Sequence, residues 1–510
     1  MQSENVIKIE EISVSLPDSW DWISLGETGE YINGFPFKPS HRENGGLPII
    51  RIQNLTDRQK PFNRTTIEVP AEYHVMKGDM LVSWSATLDV FLWHGEPALV
   101  NQHIFKVLPD TRIIHHQLLF YWLKIAIPQL LDTEHLHGST MKHINRGPFL
   151  AYKIPLPPFP EQTRIVAKLE ELLSDLDAGV EELKEAQKKL AQYRQSLLKA
   201  AVEGALTAEW RKLNQPEETG GQLLQRILKE RRAHWEAKQL VKFKDQDKPP
   251  PKDWQAKYSE PVQPDVSNLP ELPEGWVWAT MDQMAIEQKY GSSAKTNEDK
   301  TGVPVLRMGN IQDGELDWRE LKYLPITHDE FPCLYLKDGD LLFNRTNSPE
   351  LVGKTAVYRS HISPCSYASY LISVRLSDYY IPELASAYIN SIHGRLWVKS
   401  VVTQQVGQAN VNGTKLAALA IPIPPFEEQK EIAKLLDELR SASSEQIKNV
   451  EFSLHQTAAQ RKNILKAAFS GQLVPQDPDD EPASVLLERI RDERAKQTKT
   501  HKSRSGKVSA

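Results

Sequence analysis

The sequence predicts an α+β protein built as a pseudo-twofold repeat, with two globular units separated by two long antiparallel coiled-coil helices. Three observations predict it. Residues 154–206 align with 421–473 at a constant offset of 267 and without a gap. Leu169, Leu176, Leu183, Leu190 and Leu197 recur every seventh residue, the spacing of a coiled-coil seam. The stretches before each copy, 1–153 and 271–420, carry short β-rich runs punctuated by Gly, Pro and Asn, which is how strands and turns are written.

Taken in order, the first unit (1–153) holds the runs LPIIRI, DMLVSW and HIFKVL and a helical stretch around 115–131. A helical spacer follows at 154–243. It opens on IPLPPFPEQ, whose prolines suit neither a helix interior nor a central strand and so predict a stiff extended connector. Glu161 and Gln162 then fall in the first helical turn, where a carboxylate suits the positive dipole end, and Phe159 is placed to anchor the connector on the globular unit. Leu172, Ala186 and Tyr193 supply the alternate seam positions, and Gly179 interrupts them. Residues 244–270 are rich in Pro and charge and predict an extended linker. The second unit (271–420) repeats landmarks of the first: LPEGWVW for LPDSWDW, VPVLRMGNI for LPIIRIQNL, and a helical stretch around 382–400. The second spacer (421–493) opens on IPIPPFEEQ. Its seam keeps Leu436, Val450 and Ile464 but is diluted by Ser443 and Thr457. The basic end, 494–510, predicts a disordered tail.

Composition narrows the function. Two cysteines in 510 residues leave no disulfide framework or Cys-based zinc site and fit a reducing cytoplasm. No secretory signal or apolar run of membrane-spanning length is evident. The net charge of -5 does not decide nucleic-acid binding, which needs a local basic face. The Pro-Pro-Phe triplets resemble the motif of amino-methylating DNA enzymes, but that chemistry needs a polar residue before Pro-Pro to accept a hydrogen bond from the flipped base. Leu156 and Ile423 stand there and cannot. No P-loop is found, and Pro264-Asp265 with Glu287-Gln288-Lys289 is too loose for a nuclease signature. His135, His137 and His143 lack accompanying ligands for a metal. No catalytic, cofactor-binding or metal-binding residue is predicted in this chain.

Three places in each unit hold side chains suited to base edges or phosphates. In the first unit they are Arg51, Gln53 and Asn54; Ser83 and Trp84; and Ser139, Thr140, Lys142, His143 and Asn145. In the second they are Arg307 and Asn310; Asn344 and Arg345; and Gln408, Asn410, Asn412 and Lys415. Arg and Lys pair with guanine O6 and N7, Asn and Gln with adenine N6 and N7, while Ser, Thr and Lys hold phosphates and fix register. A turn residue or an ion-pair partner has the same composition. The spacers align without gaps whereas the globular units share only landmarks, the pattern expected if each unit reads a different sequence. About 40 helical residues span roughly 60 Å at 1.5 Å per residue, longer than one turn of B-DNA, about 34 Å. A plain helical stalk has the same periodicity.

The paired lead-ins IPLPPFPEQ and IPIPPFEEQ, the blocks LLKAAVEGAL and ILKAAFSGQL, LPEGW before the second unit and GSTMKHIN in the first together resemble the specificity subunit of type I restriction-modification systems, over nearly the whole chain. The second unit departs from GSTMKHIN, having QANVN. The resemblance implies a non-catalytic subunit with two target-recognition domains, each reading half of a bipartite asymmetric site in double-stranded DNA. It implies helices that set the gap and dock two methyltransferase subunits using S-adenosylmethionine, and two restriction and translocase subunits using ATP and Mg. No membrane partner is implied. A single-chain restriction or methylation enzyme, or a coiled-coil scaffold without sequence readout, is the alternative.

Overall fold

The computed structural model describes residues 16–57, 59–131, 145–348, 351–405 and 408–505. The chain forms two compact units, and they do not follow the linear boundaries predicted above. One comprises Met1–Lys184 with Glu451–Ala510, the other Glu185–Val450. Each therefore takes part of both long helices, Phe159–Val202 and Phe426–Phe469.

In the first unit a four-stranded antiparallel sheet runs Gly29–Asn33, Ile104–Pro109, Met80–Ser83, Asp89–Leu92. A second sheet runs Asn63–Thr65, Leu47–Ile50, Ala98–Val100, His74–Val75. The helix His116–Leu131 buries Trp122 and Leu123 in the same core as Ile165, Leu169 and Leu173 of the first long helix and Ala468 and Phe469 of the second. In the second unit the order Ala285–Tyr290, Leu371–Leu376, Leu341–Asn344, Thr355–Val357 repeats the first sheet, and Lys322–Leu324, Val303–Leu306, Ser366–Tyr367 repeats the second with one strand fewer. A further three-stranded sheet joins Thr346–Asn347, Gln408–Asn410 and Thr403–Gln405. The helical stretch expected at 382–400 is two helices, Pro382–Asn390 and Ile392–Val401. The break is Ser391, whose extended backbone and hydroxyl bond to the Tyr388 carbonyl close one helix and start the next.

Within each unit the long helices run antiparallel. In the first, Glu161 bonds to Gln476, beyond the second helix's end, and Asp177 pairs with Arg461, so partners descend as residue number rises. In the second, Arg194 donates to Ser443 and Ser444 at 3.0 and 2.6 Å, and Thr207 to Glu428. Asp177 and Ser444 occupy the same repeat position, as do Arg461 and Arg194. Ser443, which dilutes the leucine pattern, is 1% exposed and serves as a hydrogen-bonded seam position. Tyr193 departs from the expected seam, being 47% exposed.

The proline lead-ins are partly strand. Lys153–Leu156 pairs antiparallel with Asp21–Ser24, and Ala420–Ile423 with Val277–Thr280. Each is a two-stranded ribbon, so Pro155 and Pro422 need pair on one side only. The expected linker is also more ordered than its composition suggests. The helix Gly220–Asp245 runs into it, Trp254 stacks on Trp235 with centroids 5.9 Å apart, and Thr280 donates to the Val262 carbonyl. Aromatic packing overrides the proline-rich pattern and straps the segment to its helix. The basic end is corrected likewise: Ala483–Ser505 is a helix, held to the first domain by Arg491 on Glu27 and Arg494 on Asp110.

One joint, built twice, fixes each domain to the helices. Glu161, 1% exposed, accepts from the Trp20 indole at 3.0 Å and from Gln476 at 2.6 Å. Burial pushes its carboxyl above the usual range, against the pull of those two hydrogen bonds. Gln162, fully buried, accepts from His115 N–H and donates to the carbonyls of Ile113 and Pro157. In the second unit Glu428 accepts from the Trp276 indole at 2.8 Å, from Thr207 at 2.7 Å and from Arg211 at 3.3 Å. Gln429 accepts from Ile381 N–H and donates to the Pro424 carbonyl. Gly471 and Gly204, both at φ +72, close the joints: a Cβ would stand 2.4 Å from Pro17 and 2.5 Å from Pro273. Gly471→Ala is expected to cost about 1–2 kcal/mol from the left-handed backbone alone, with the Pro17 clash added. Urea unfolding of the variant checks this; a loss below about 0.5 kcal/mol, the range of neutral surface changes, would contradict it.

Candidate nucleic-acid interface

In the second domain the backbone gathers all three predicted places. The turn after Ser366–Tyr367 is the organiser: Ala368 N–H donates to the Leu306 carbonyl, beside Arg307, and Arg345 N–H donates to the Tyr370 carbonyl. Arg345 in turn accepts from Val411 N–H through its carbonyl, and Thr346 pairs with Asn410. The Arg345 guanidinium lies over the Tyr290 ring, 5.0 Å from its centroid. The Tyr290 hydroxyl accepts from Gly413 N–H at 2.8 Å. Asn412 caps the helix Gly413–Ala417 by accepting from Lys415 N–H. The Lys415 ammonium donates to the Val401 carbonyl and Thr403 hydroxyl, both at 2.6 Å, so its charge is held by the Thr403–Gln405 strand.

The first domain uses the same scaffold. Asn101 N–H donates to the Ile50 carbonyl, beside Arg51, and Trp84 N–H donates to the His103 carbonyl. The Trp84 indole donates to Asn33 at 3.1 Å and stacks on Phe105, with His103 edge-on. Gln53 is exposed, Arg51 half-buried and Asn145 exposed. Ser139, Thr140, Lys142 and His143, with His135 and His137, lie outside the described residues, and so does the Gln408 side chain.

Burial sorts the predicted residues. Asn54 and Asn310 are 2% and 4% exposed and do the same work in both domains. Each accepts from the N–H three residues before it, of Arg51 and Arg307, and donates back to the loop, at Lys60 and Pro61 or at Asp317. Ser83 is buried and ties the 83–89 turn through Thr87 and Asp89. Asn344 is fully buried and donates to the Leu351 carbonyl. These four are corrected from base contacts to supports that shape the loops from within, because a side chain at 0–4% exposure cannot meet a base edge. Arg307 donates to the Glu320 carbonyl while its Nε is buried without a partner, as is that of Arg345. The turn residues Gln102, His103, Ser369 and Tyr370 were not predicted. Their place depends on a parallel pairing, Ile49 with Leu99 and Val305 with Ser366, which leaves no local sequence signal.

Away from these faces, each unit has a cleft between a helix of its globular domain, His116–Leu131 or Pro382–Asn390, and the long-helix pair. In the first it holds about 390 Å³, lined by Lys124, Pro128, Asp177, Leu454, Arg461 and Leu465. In the second it holds about 520 Å³, lined by Leu197, Leu198, Leu316, Trp318, Ala387 and Leu436 among others. Among the described residues no group of three or more His, Cys, Asp or Glu could hold a metal, and no helix is long and apolar enough to cross a membrane.

Fold and faces define a duplicated recognition protein, two loop-built faces each mounted on a pair of helices. The family described as Type I restriction modification DNA specificity domain matches at residues 17–187 and 273–451, and the chain belongs to that family as a specificity subunit. It is 26% identical over 502 residues to the type I restriction enzyme EcoBI specificity subunit of Escherichia coli, covering 94% of each chain. It is 23% identical over 507 residues to the EcoKI specificity subunit of Escherichia coli strain K12, covering 94% of this chain and 96% of that one. A chain solved in work on assembly and conformational transition of the type I R-M system shares the fold, with TM-score 0.62 and 18% identity over 90% of this chain and 99% of that one.

Proposed function

We propose that each globular domain reads one half of a bipartite, asymmetric site in duplex DNA, and that the helix pair sets the gap between the halves. The chain acts in the cytoplasm within a type I restriction-modification complex and contributes no catalysis. Two methyltransferase subunits, using S-adenosylmethionine, dock along the helices, for which the two clefts offer apolar walls with charged rims. Two restriction and translocase subunits add ATP- and Mg-dependent steps. One observation carries the reading: the same hydrogen-bonded turn organises both faces, yet presents Trp84 and His103 in one and Arg345 and Tyr370 in the other. A shared scaffold with different exposed side chains is what two readers of different sequences require.

Genome-wide mapping of adenine methylation in a host expressing this chain with its cognate methyltransferase subunit tests the proposal. A two-part motif is expected. Exchange of residues 1–153 for another family member's first domain is expected to change one half only; a change in both halves, or no motif, would overturn separable readers.

A further inference from the structure

The two faces can be matched residue by residue through their backbone bonds. Gly34 N–H donates to the Ile104 carbonyl and Gly291 N–H to that of Leu371; Gln102 N–H donates to the Phe35 carbonyl and Ser369 N–H to that of Ser292. With Trp84 on His103 and Arg345 on Tyr370, three positions coincide: Asn33 with Tyr290, Trp84 with Arg345, and His103 with Tyr370.

At the central position the chemistry differs. The single donor of Trp84 is already committed to Asn33, so that ring can offer a base only its apolar surface. Arg345 is held the other way. Its guanidinium rests on the Tyr290 ring, and among the described residues Nη1 meets the Ser369 carbonyl, at 3.4 Å. Its Nε is buried without a partner, so the group is confined by packing and by the Tyr290 ring while Nη1 is weakly engaged. The Tyr290 platform is itself pinned by Gly413 N–H, and a Cβ at 413 would stand 2.5 Å from the Gln288 amide and 2.9 Å from the Tyr290 hydroxyl, so a larger residue there would displace those side-chain ends. Tyr290 and Tyr370 flank the site, 46% and 48% exposed. A stacked, pre-oriented guanidinium with two terminal donors matches the O6 and N7 pair of guanine, and stacking reduces the freedom it must lose on binding.

We propose that Arg345 specifies one guanine in the half-site read by the second domain, with Tyr290 as its positioning residue. This rests on the two-reader function above. The test is methylation mapping with the full chain and its methyltransferase partner, comparing wild type with Arg345→Gln, Arg345→Met, Arg345→Lys, Tyr290→Phe and Tyr290→Leu. Arg345→Gln is expected to lower preference for guanine by roughly tenfold or more at one position of one half-site, with adenine gaining, since Gln matches adenine N6 and N7. The other half-site stays unchanged. Tyr290→Phe keeps the ring under the guanidinium and so most of the preference, losing only the Gly413 pin, whereas Tyr290→Leu removes the ring and loosens the preference at the same position, which a purely structural tyrosine would not do. If Arg345→Gln yields no assembled complex, Arg345→Met, which keeps the stem and loses every side-chain donor, reads the same position, and undiminished discrimination there overturns the proposal. So does a uniform loss of methylation with the motif intact and restored by Lys, the signature of a phosphate contact. Absence of any two-part motif in wild type would instead remove the underlying function.

Discussion

Replacement of Glu428 by Ala is expected to lower the unfolding free energy by about 3–5 kcal/mol, the range for breaking a buried ion pair by removing one partner. The Glu428 side chain is fully buried, and Arg211 is 19% exposed. Truncation leaves the guanidinium its bonds to the Gly204 carbonyl but no counter-charge, and strands the Trp276 indole and the Thr207 hydroxyl beside it. The matching change at Glu161 is expected to cost less, about 1–3 kcal/mol, because its hydrogen-bond donors are the neutral groups of Trp20 and Gln476. Urea unfolding of both variants measures the contrast. Equal losses, or a loss below about 1 kcal/mol at Glu428, would show that the charge on Arg211 escapes to water. Because the carboxylate joins the start of one helix to a residue after the other, the damage should extend to recognition by the second domain.

The second large effect concerns length. Seven residues inserted after Ala186, with a matched seven after Ser453, its repeat counterpart, add about 10 Å of helix at 1.5 Å per residue. A whole heptad keeps the seam in phase. The preferred gap between half-sites is expected to lengthen by about three base pairs, since a strand advances about 3.4 Å per nucleotide. Insertions of four residues break the phase and should reduce methylation at every gap. Methylation mapping decides, and an unchanged gap after the heptad insertion would remove the ruler role.

Some residues could be placed from the sequence because their signal is local or repeated. The heptad leucines announce the long helix Phe159–Val202. Glu161-Gln162 and Glu428-Gln429 announce two equivalent joints. Other features were legible in type but not in role. Asn54 and Asn310 look like base readers, and only their burial shows them closing turns; composition cannot tell an amide facing a base from one facing its own backbone. The linker was misjudged for a related reason, since Trp235 and Trp254 stack across segments whose individual patterns read as a helix and an extended chain.

The sequence by itself determined the duplication, the two long helices, the absence of a methylating motif at Pro-Pro-Phe, and the class of protein. Tertiary structure alone decided how the copies are combined. Each domain's tryptophan is clamped by the start of one long helix and by residues following the end of the other: Trp20 with Glu161, Gln476 and Gly471, Trp276 with Glu428, Thr207 and Gly204. Within the first clamp, Glu161 and Gln476 lie 315 residues apart. Periodicity records which face of a helix is apolar, but not which distant segment covers it. That choice is made by the burial of a carboxylate and an indole that only the folded chain brings together.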